Sequence, residues 1–500
     1  MDLLSELYAR FLIAKSNFTA RWSWLILPVF LGFVALCFLV GVARTLLAGW
    51  RLRRSTPLRE EKPDPALKAH AAESLQQAIR IPTVTGDREA MQQLDQWLRQ
   101  RYPAVFRELT SLSAPAGSVV LRWRGPKDAE GEPILFCGHL DVVPAGDGWQ
   151  EDPFSGRMDE DEVIHGRGAI DCKNVVIGLL EAIDSLLSEG WKPQRDVYFA
   201  FGHDEETGGA EGAARIAEDF ARRGIRFGTV LDEGGYITRS HYGRANFPAA
   251  LIGVGEKGCC YYRLTAEGKA GHSSMPPRHS SVGYLAEAVC RIEAAPPKAR
   301  LLEVTETNVR LSAPAMRFKH RFAVCNLPFS TRMLFRMFGS VPDVNPMFRT
   351  TLACTQVTGA AAPNILPAQA TATVNARVLQ GDTPEGIRRY IESLVGDLPV
   401  KVEPILEIPA SELASTESES YARLCGALTD KYPGLPCIPG VQSITTDSRH
   451  YQSVCGSIFK FMPFVLDGTL YDRMHNSDER IPAASLAHAV ELYKKLIREL

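Results

Sequence analysis

Four short stretches of the chain carry side chains suited to metal-assisted hydrolysis. His139 and Asp141 stand in HLDVVP, Asp171 in GRGAIDCK, Glu205 and Glu206 in DEETGG, and Asp232 and Glu233 in LDEGG. The three adjacent carboxylates at 204–206 repel one another unless a counter-charge sits among them. One histidine with several carboxylates is a ligand set for a hard or borderline divalent cation. Taken singly, each stretch reads as a solvated turn; four of them at successive strand ends converge on a metal site. Asp204 is expected to serve a turn or a cap.

The surrounding pattern supplies the elements that must position these residues. PILFCGHL (133–140), DVYFAFG (196–202) and GTVL (228–231) read as buried strands. Between them, CKNVVIGLLEAIDSLLSEG (172–190) reads as a helix with Val176, Leu179, Leu180, Ile183 and Leu187 on one face, and AEGAARIAEDFARRG (210–224) as another. Strands alternating with helices predict an α/β open sheet, whose sites form outside the carboxyl ends of its strands. The texture changes near Glu256. EKGCCYYRLTAEG, ATATVNARV and PVKVEPILEI alternate like half-exposed strands, with helical patterns at SVGYLAEAVCRIEAA and TPEGIRRYIESLV. This predicts a smaller α+β insertion over 257–410 within a catalytic domain made of 60–256 and 411–500.

Composition narrows the function class. A chain of 500 residues with 45% hydrophobic and 23% charged residues is folded and large enough for two or three domains. A net charge of -2 gives no electrostatic footprint for nucleic acid. The eleven cysteines are scattered without a CxxC pair, which argues against a disulfide scaffold or a zinc finger.

The N-terminal part differs from the rest. From Trp22 to Ala43 no residue is charged, a run long enough to span a bilayer, with Trp22, Trp24 and Trp50 as interface anchors. The run is long, begins after some twenty residues and lacks a clear small-x-small cleavage site before Arg44, so it reads as a single-pass anchor (22–50) rather than a signal peptide. Arg44, Arg51, Arg53 and Arg54 after the span, against Arg10, Lys15 and Arg21 before it, tilt the body toward the cytosol. The acceptor sequon Asn17-Phe18-Thr19 precedes the span, and the linker STPLREEKPDPALK follows it.

HLDVVP, GRGAIDCK, DEETGG, LDEGG, GKAGHSS, NILP, NARV, TDSRHY and MHNSDERI stand in the order found in the di-zinc aminoacylase/carboxypeptidase superfamily, metallopeptidase family M20. The chain resembles that family over roughly residues 65–500, and its C-terminal stretch looks most like the carboxypeptidase S and N-fatty-acyl-amino-acid synthase/hydrolase branch. The resemblance implies a di-zinc exopeptidase-like catalytic domain with an inserted lid and dimerisation domain. It implies His139, Asp171, Glu206, Asp232 and His475 as ligands of two zinc or other divalent ions, with Asp171 bridging and Glu233 as the alternative to Asp232. Asp141 would hold the His139 ring in its tautomer. Glu205 would be the general base, taking a proton from water and returning it to the leaving amine. His272 would steady the oxyanion, commonly from the partner of a homodimer. Asn364, Arg377 and Arg449 would contact substrate, and Arg377 suits a bidentate grip on a carboxylate.

The implied reaction is cleavage, or by mass action formation, of the amide between an acyl group and an amino acid with a free carboxylate. A fatty acyl group is attractive because the anchor places the site near a membrane. Peptides are the alternative substrate, as for a carboxypeptidase. A non-catalytic binding protein would require a missing ligand or base, and none is missing. Two departures stand out: ITTD (444–447) where the family often has GNTD or GGTD, and Asp478 where Asn is common.

Overall fold

The computed structural model describes residues 28–50, 58–129, 131–241 and 244–500. Trp22, Trp24, Arg10, Lys15, Arg21, Arg51, Arg53, Arg54 and the sequon at Asn17, named above for the anchor and its orientation, lie outside the described residues.

Among the described residues, ten strands form the main mixed sheet. At its centre Ile134–His139 runs parallel to Val197–Gly202 on one side and to Thr229–Asp232 on the other. Ile458–Lys460 extends the parallel set beyond Thr229–Asp232, and Val119–Trp123 flanks Val197–Gly202 antiparallel. The two strands Ile134–His139 and Val197–Gly202 are buried along their whole length, as near-continuous apolar runs must be. Successive side chains enter opposite cores because a strand has period two. Phe136, Phe199 and Phe201 face the helices Pro65–Ile79, Lys173–Ser188 and Ala483–Glu499. Leu135, Tyr198 and Ala200 face Ala213–Arg222 and the turn Asp447–Ser453. Tyr198, Phe220 and Phe227 meet there edge-to-face, with centroids 5.1 to 5.7 Å apart.

The helix Lys173–Ser188 departs from the one-faced expectation. Every residue from Lys173 to Ile183 is buried, because the helix packs on the strand Ile134–His139 and is flanked by the helices Pro65–Ile79, Pro103–Glu108 and Ala483–Glu499. Just before Lys173, the Cys172 sulfur accepts from His139 N at 3.2 Å and joins the Asp171 loop to the strand end.

The second sheet is antiparallel, in the order Thr351–Thr358, Gln369–Val378, Gly258–Glu267, Val400–Ile408. Along Gln369–Val378 the alternation is strict: Ala370, Ala372, Val374, Ala376 and Val378 are buried beneath the helices Ser281–Ala294 and Pro384–Val395, while Thr371, Thr373, Asn375 and Arg377 face the other way. A helical insertion, Glu303–Ser312, Phe318–Cys325 and Thr331–Phe338, has a core of its own around Val309, Met316, Val324, Leu334 and Phe348. It is tied to the strand Cys437–Gln442 of the main sheet, where Asn308 Nδ2 donates to Pro439 O at 2.7 Å. The N-terminal helix Pro28–Trp50 is long and apolar enough to cross a membrane by length and composition, and it is mostly exposed.

Candidate metal centre

Three adjacent parallel strands end side by side, and each delivers acidic or imidazole groups at its carboxyl end. Ile134–His139 ends on His139 itself; Val197–Gly202 leads into Glu205 and Glu206; Thr229–Asp232 leads into Glu233. Asp171 enters from the loop before Lys173–Ser188, and His475 from the turn before Arg480–Pro482. The Asp171 carboxylate lies between the two histidines. Its Oδ1 is 2.9 Å from His139 Nε2, and its Oδ2 is 2.9 Å from His475 Nε2. Glu206 Oε2 is 3.1 Å from His475 Nε2, and Glu233 Oε1 is 3.2 Å from His139 Nε2. Glu205 Oε2 stands at 3.8 Å from His139 Nε2. Two groups that could each hold a metal ion thus share one carboxylate: His139, Asp171 and Glu233, with the Cys172 sulfur also near, and His475, Asp171 and Glu206.

Glu233, not Asp232, completes the His139 side. As neighbours at a strand end the two point apart, and Asp232 Oδ2 accepts from Ser448 N at 2.8 Å on the far side of the strand. The preference for Asp232 is corrected on that geometry. Asp232 joins a buried polar group with Glu256, Lys460 and Ser448 instead.

Asp141 fixes both neighbouring segments. His139 Nδ1 lies 3.0 Å from Asp141 O and 3.3 Å from Asp141 Oδ1, so the ring donates there and turns Nε2 into the cluster. The same carboxylate accepts from Thr85 Oγ1 at 2.7 Å, from Glu205 N at 3.2 Å and from Glu206 N at 3.3 Å. One side chain therefore holds the histidine and the backbone of the two glutamates. Asp204 caps the same turn, accepting from Glu211 N at 2.8 Å and Gly212 N at 2.9 Å. Gly202 and Gly209 bracket it; a Cβ on either would meet the buried Asp447 carboxylate, and Gly209 also has φ +66°.

Residues with no role in the sequence reading support Asp171 and His475. Glu479 is fully buried and its Oε1 accepts from Ile170 N at 2.6 Å and Asp171 N at 3.1 Å. Arg167 Nη1 donates to Glu479 Oε2 at 2.7 Å, and Arg167 Nη2 donates to His475 O at 3.4 Å. His475 itself has φ +61°, a conformation that costs a residue with a side chain on the order of 1–3 kcal/mol unless its surroundings hold it. The signal in the sequence was a buried acid within MHNSDERI and an arginine within GRGAIDCK, both inside motifs already singled out.

The electrostatics test whether this set fits cations. Burial works against a charge on His139, yet Cys172, Glu233, Asp141 and Asp171 hold its pKa well above the ordinary value. Hydrogen bonds to Asp171 and Glu206 push His475 up to about 10. Burial, with Asp171 beside it, pushes Glu233 up to about 8. Burial also raises Glu205, with Glu233, Asp447 and Asp171 adding to it against His139. The acidic surroundings thus favour positive charge at both imidazoles. Glu206 Oε1 is buried without a hydrogen-bond partner. An orphaned carboxylate oxygen and two imidazoles around a shared carboxylate fit a divalent pair.

The expected substrate residues lie elsewhere. His272 is exposed on a two-stranded ribbon paired with Ile365–Leu366, its Nδ1 2.8 Å from Ser274 Oγ. Asn364 O accepts from Ser273 N at 3.1 Å, so these two are brought together. Arg377 is half-buried on Gln369–Val378, and Arg449 half-buried in the turn Asp447–Ser453. Among the described residues, no hydrogen bond or ion pair joins these four to the histidine cluster.

An open α/β sheet with such a cluster at its strand ends is the framework of a metal-dependent hydrolase of amide or peptide bonds. The chain belongs to peptidase family M20/M25/M40, whose model matches residues 135–499. It is 34% identical over 440 residues to an N-fatty-acyl-amino acid synthase/hydrolase of Danio rerio, covering 84% of each chain. It is 34% identical over 408 residues to a probable carboxypeptidase S-like protein of Dictyostelium discoideum, covering 81% of this chain and 78% of the relative. Among solved structures it shares the fold of a dinuclear metal binding peptidase of Bacillus subtilis, with a TM-score of 0.53 and 14% identity over 87% of this chain and 99% of that one.

Proposed function

We propose that this chain is a di-zinc amidohydrolase that cleaves the bond between an acyl group, a fatty acyl group included, and an amino acid with a free carboxylate. The observation that carries the metal reading is Asp171, with one oxygen 2.9 Å from each of two histidines. His139 and Glu233 would hold one ion, His475 and Glu206 the other, and Asp171 both. Bound there, the pair would supply Lewis acidity and lower the pKa of water toward neutrality.

The chain's own residues carry the proton traffic. Glu205 takes a proton from water at its carboxylate and returns it to the leaving nitrogen. Asp141 keeps Glu205 in place through its backbone amide, and keeps His139 donating from Nδ1. His272, reaching a site from the two-stranded ribbon of a partner copy, would steady the oxyanion, and Arg377 and Arg449 would offer guanidinium groups to the substrate carboxylate. Asn364, beside His272, would contact the substrate amide.

The relatives support two substrate classes, N-acyl amino acids and peptides. The apolar helix Pro28–Trp50, read as a single-pass membrane anchor, favours the first, because it would set the site beside the phase in which long acyl chains dissolve. Turnover of N-oleoyl amino acids, N-acetyl amino acids and blocked dipeptides by the zinc-loaded full chain separates the readings. Preference for the oleoyl series is expected; equal or faster cleavage of blocked dipeptides would replace the proposal with a carboxypeptidase.

A further inference from the structure

The helical insertion Glu303–Phe338 is outside the cluster and outside every motif of the reaction. We infer that it is a second membrane contact, docking an exposed basic and aromatic face on an anionic lipid surface beside the anchor helix. The inference rests on the reading of Pro28–Trp50 as a membrane span.

Depth is the first argument. The ring of Phe38 lies against Phe322 with centroids 6.0 Å apart, and Gly41 O accepts from Asn326 Nδ2 at 3.4 Å. The uncharged run ends at Ala43. At about 1.5 Å per residue, Phe38 lies roughly 8 Å inside that end. Side chains touching Phe38 and Gly41 share their depth, and roughly 5–10 Å is the depth at which interfacial amphipathic helices bury their apolar faces.

Exposure is the second. Phe329, three residues beyond Asn326, is 95% exposed, and Phe318 and Met333 are exposed near it in sequence. An aromatic ring so fully in water gains nothing from its position; in a lipid interface it gains burial.

Charge is the third. The insertion Glu303–Phe338 contains six Lys or Arg (Arg310, Arg317, Lys319, Arg321, Arg332, Arg336) against two Glu (Glu303, Glu306), in a chain whose net charge is -2. Glu306 pairs with Arg310 at 2.6 Å and leaves the remaining excess of cations on 317–336. Arg317, Lys319, Arg332 and Arg336 are exposed. Basic side chains interleaved with exposed aromatic and apolar ones match acidic headgroups over acyl chains. A cleft of about 570 Å³ between the anchor helix and the insertion, lined by Arg44 and Arg310 with Leu47, Val324 and Leu327, has the same pairing of cation and apolar wall. Because the insertion is tied to the main sheet at Pro439, this contact sets the orientation of the body on the bilayer as a single anchor helix alone does not.

The test uses the full chain reconstituted in phosphatidylcholine vesicles, with and without phosphatidylserine, carrying brominated acyl chains. Phe329→Trp adds a fluorophore at a position without packing to disturb, read as the difference from wild type; Leu36→Trp reports the anchor in the same way. We expect the emission added at 329 to shift to the blue and be quenched in the serine-containing vesicles. Arg332→Glu with Arg336→Glu should restore it while quenching at 36 persists. Quenching at 36 with unquenched emission at 329 overturns the docking and leaves the anchor standing, whether 329 is in water or covered by a second copy. Unquenched emission at both positions overturns the span and the docking together. Equal quenching at 329 in vesicles lacking phosphatidylserine overturns the requirement for anionic lipid.

Discussion

The ends of the parallel strands and the two-stranded ribbon of the second sheet region hold their candidate residues in opposite ways. At the strand ends each group is held by another. Asp141 holds His139, Glu205 and Glu206, Glu479 holds the backbone of Asp171, and Arg167 holds both Glu479 and the carbonyl of His475. On the ribbon, His272 is exposed and its ring is engaged by its near neighbour Ser274. The difference separates a centre whose geometry exists before anything binds from a contact that must be assembled by substrate or by a second copy. Electrostatic stabilisation is strongest when the donors are in place beforehand, so the pre-held centre should carry the chemistry and the ribbon should modulate it.

The comparison is broken most severely at Glu205. Glu205→Gln should lower kcat by about 10²–10⁴-fold, the range for a lost general base, with metal content unchanged by mass spectrometry. Near-normal turnover would remove Glu205 from the mechanism. Next is the support beneath the ligands. Arg167→Leu leaves Glu479 buried without its cation, and urea unfolding should show a loss of about 3–5 kcal/mol. A change below about 1 kcal/mol would mean that the pair does not hold the Asp171 loop. On the ribbon, His272→Ala should cost about 10²-fold in kcat and leave both stability and metal content intact.

The smallest effect is on pH. Without metal, Glu233 keeps its proton up to about 8 and His475 up to about 10. Cations must displace those protons, so affinity rises with pH and falls as pH drops below these values. Calorimetry of metal binding at neutral pH in buffers of different ionisation enthalpy should register proton release, and heats independent of buffer would contradict the raised pKa values.

Much of this centre was legible in the sequence because strand ends leave a local mark. An apolar run followed by HLD or DEE announces both the strand and the polar residues at its carboxyl edge. The choice between Asp232 and Glu233 was not legible, because adjacent residues at a strand end point apart and which of them turns inward depends on the partner strand. Here Ser448 N takes Asp232 from the far side. Asp447 lay within the quoted ITTD, but its place between Gly202 and Gly209 joins segments more than two hundred residues apart, which no local pattern shows. Arg167 and Glu479 lay within quoted motifs, but a buried ion pair has no local signature. In the second sheet the strict alternation of ATATVNARV foretold its two faces. The insertion Glu303–Phe338 escaped the reading because its short helices bury one another rather than a regular sheet.

The central claim is that one carboxylate, Asp171, serves two cations. Metal content of the dialysed, zinc-loaded full chain tests it most directly, for the wild type and for Asp171→Asn. The account predicts about two ions per wild-type chain and no more than about one in the variant, since both sites lose a ligand at once. A wild type that saturates at one ion, or a variant that keeps two, would contradict it.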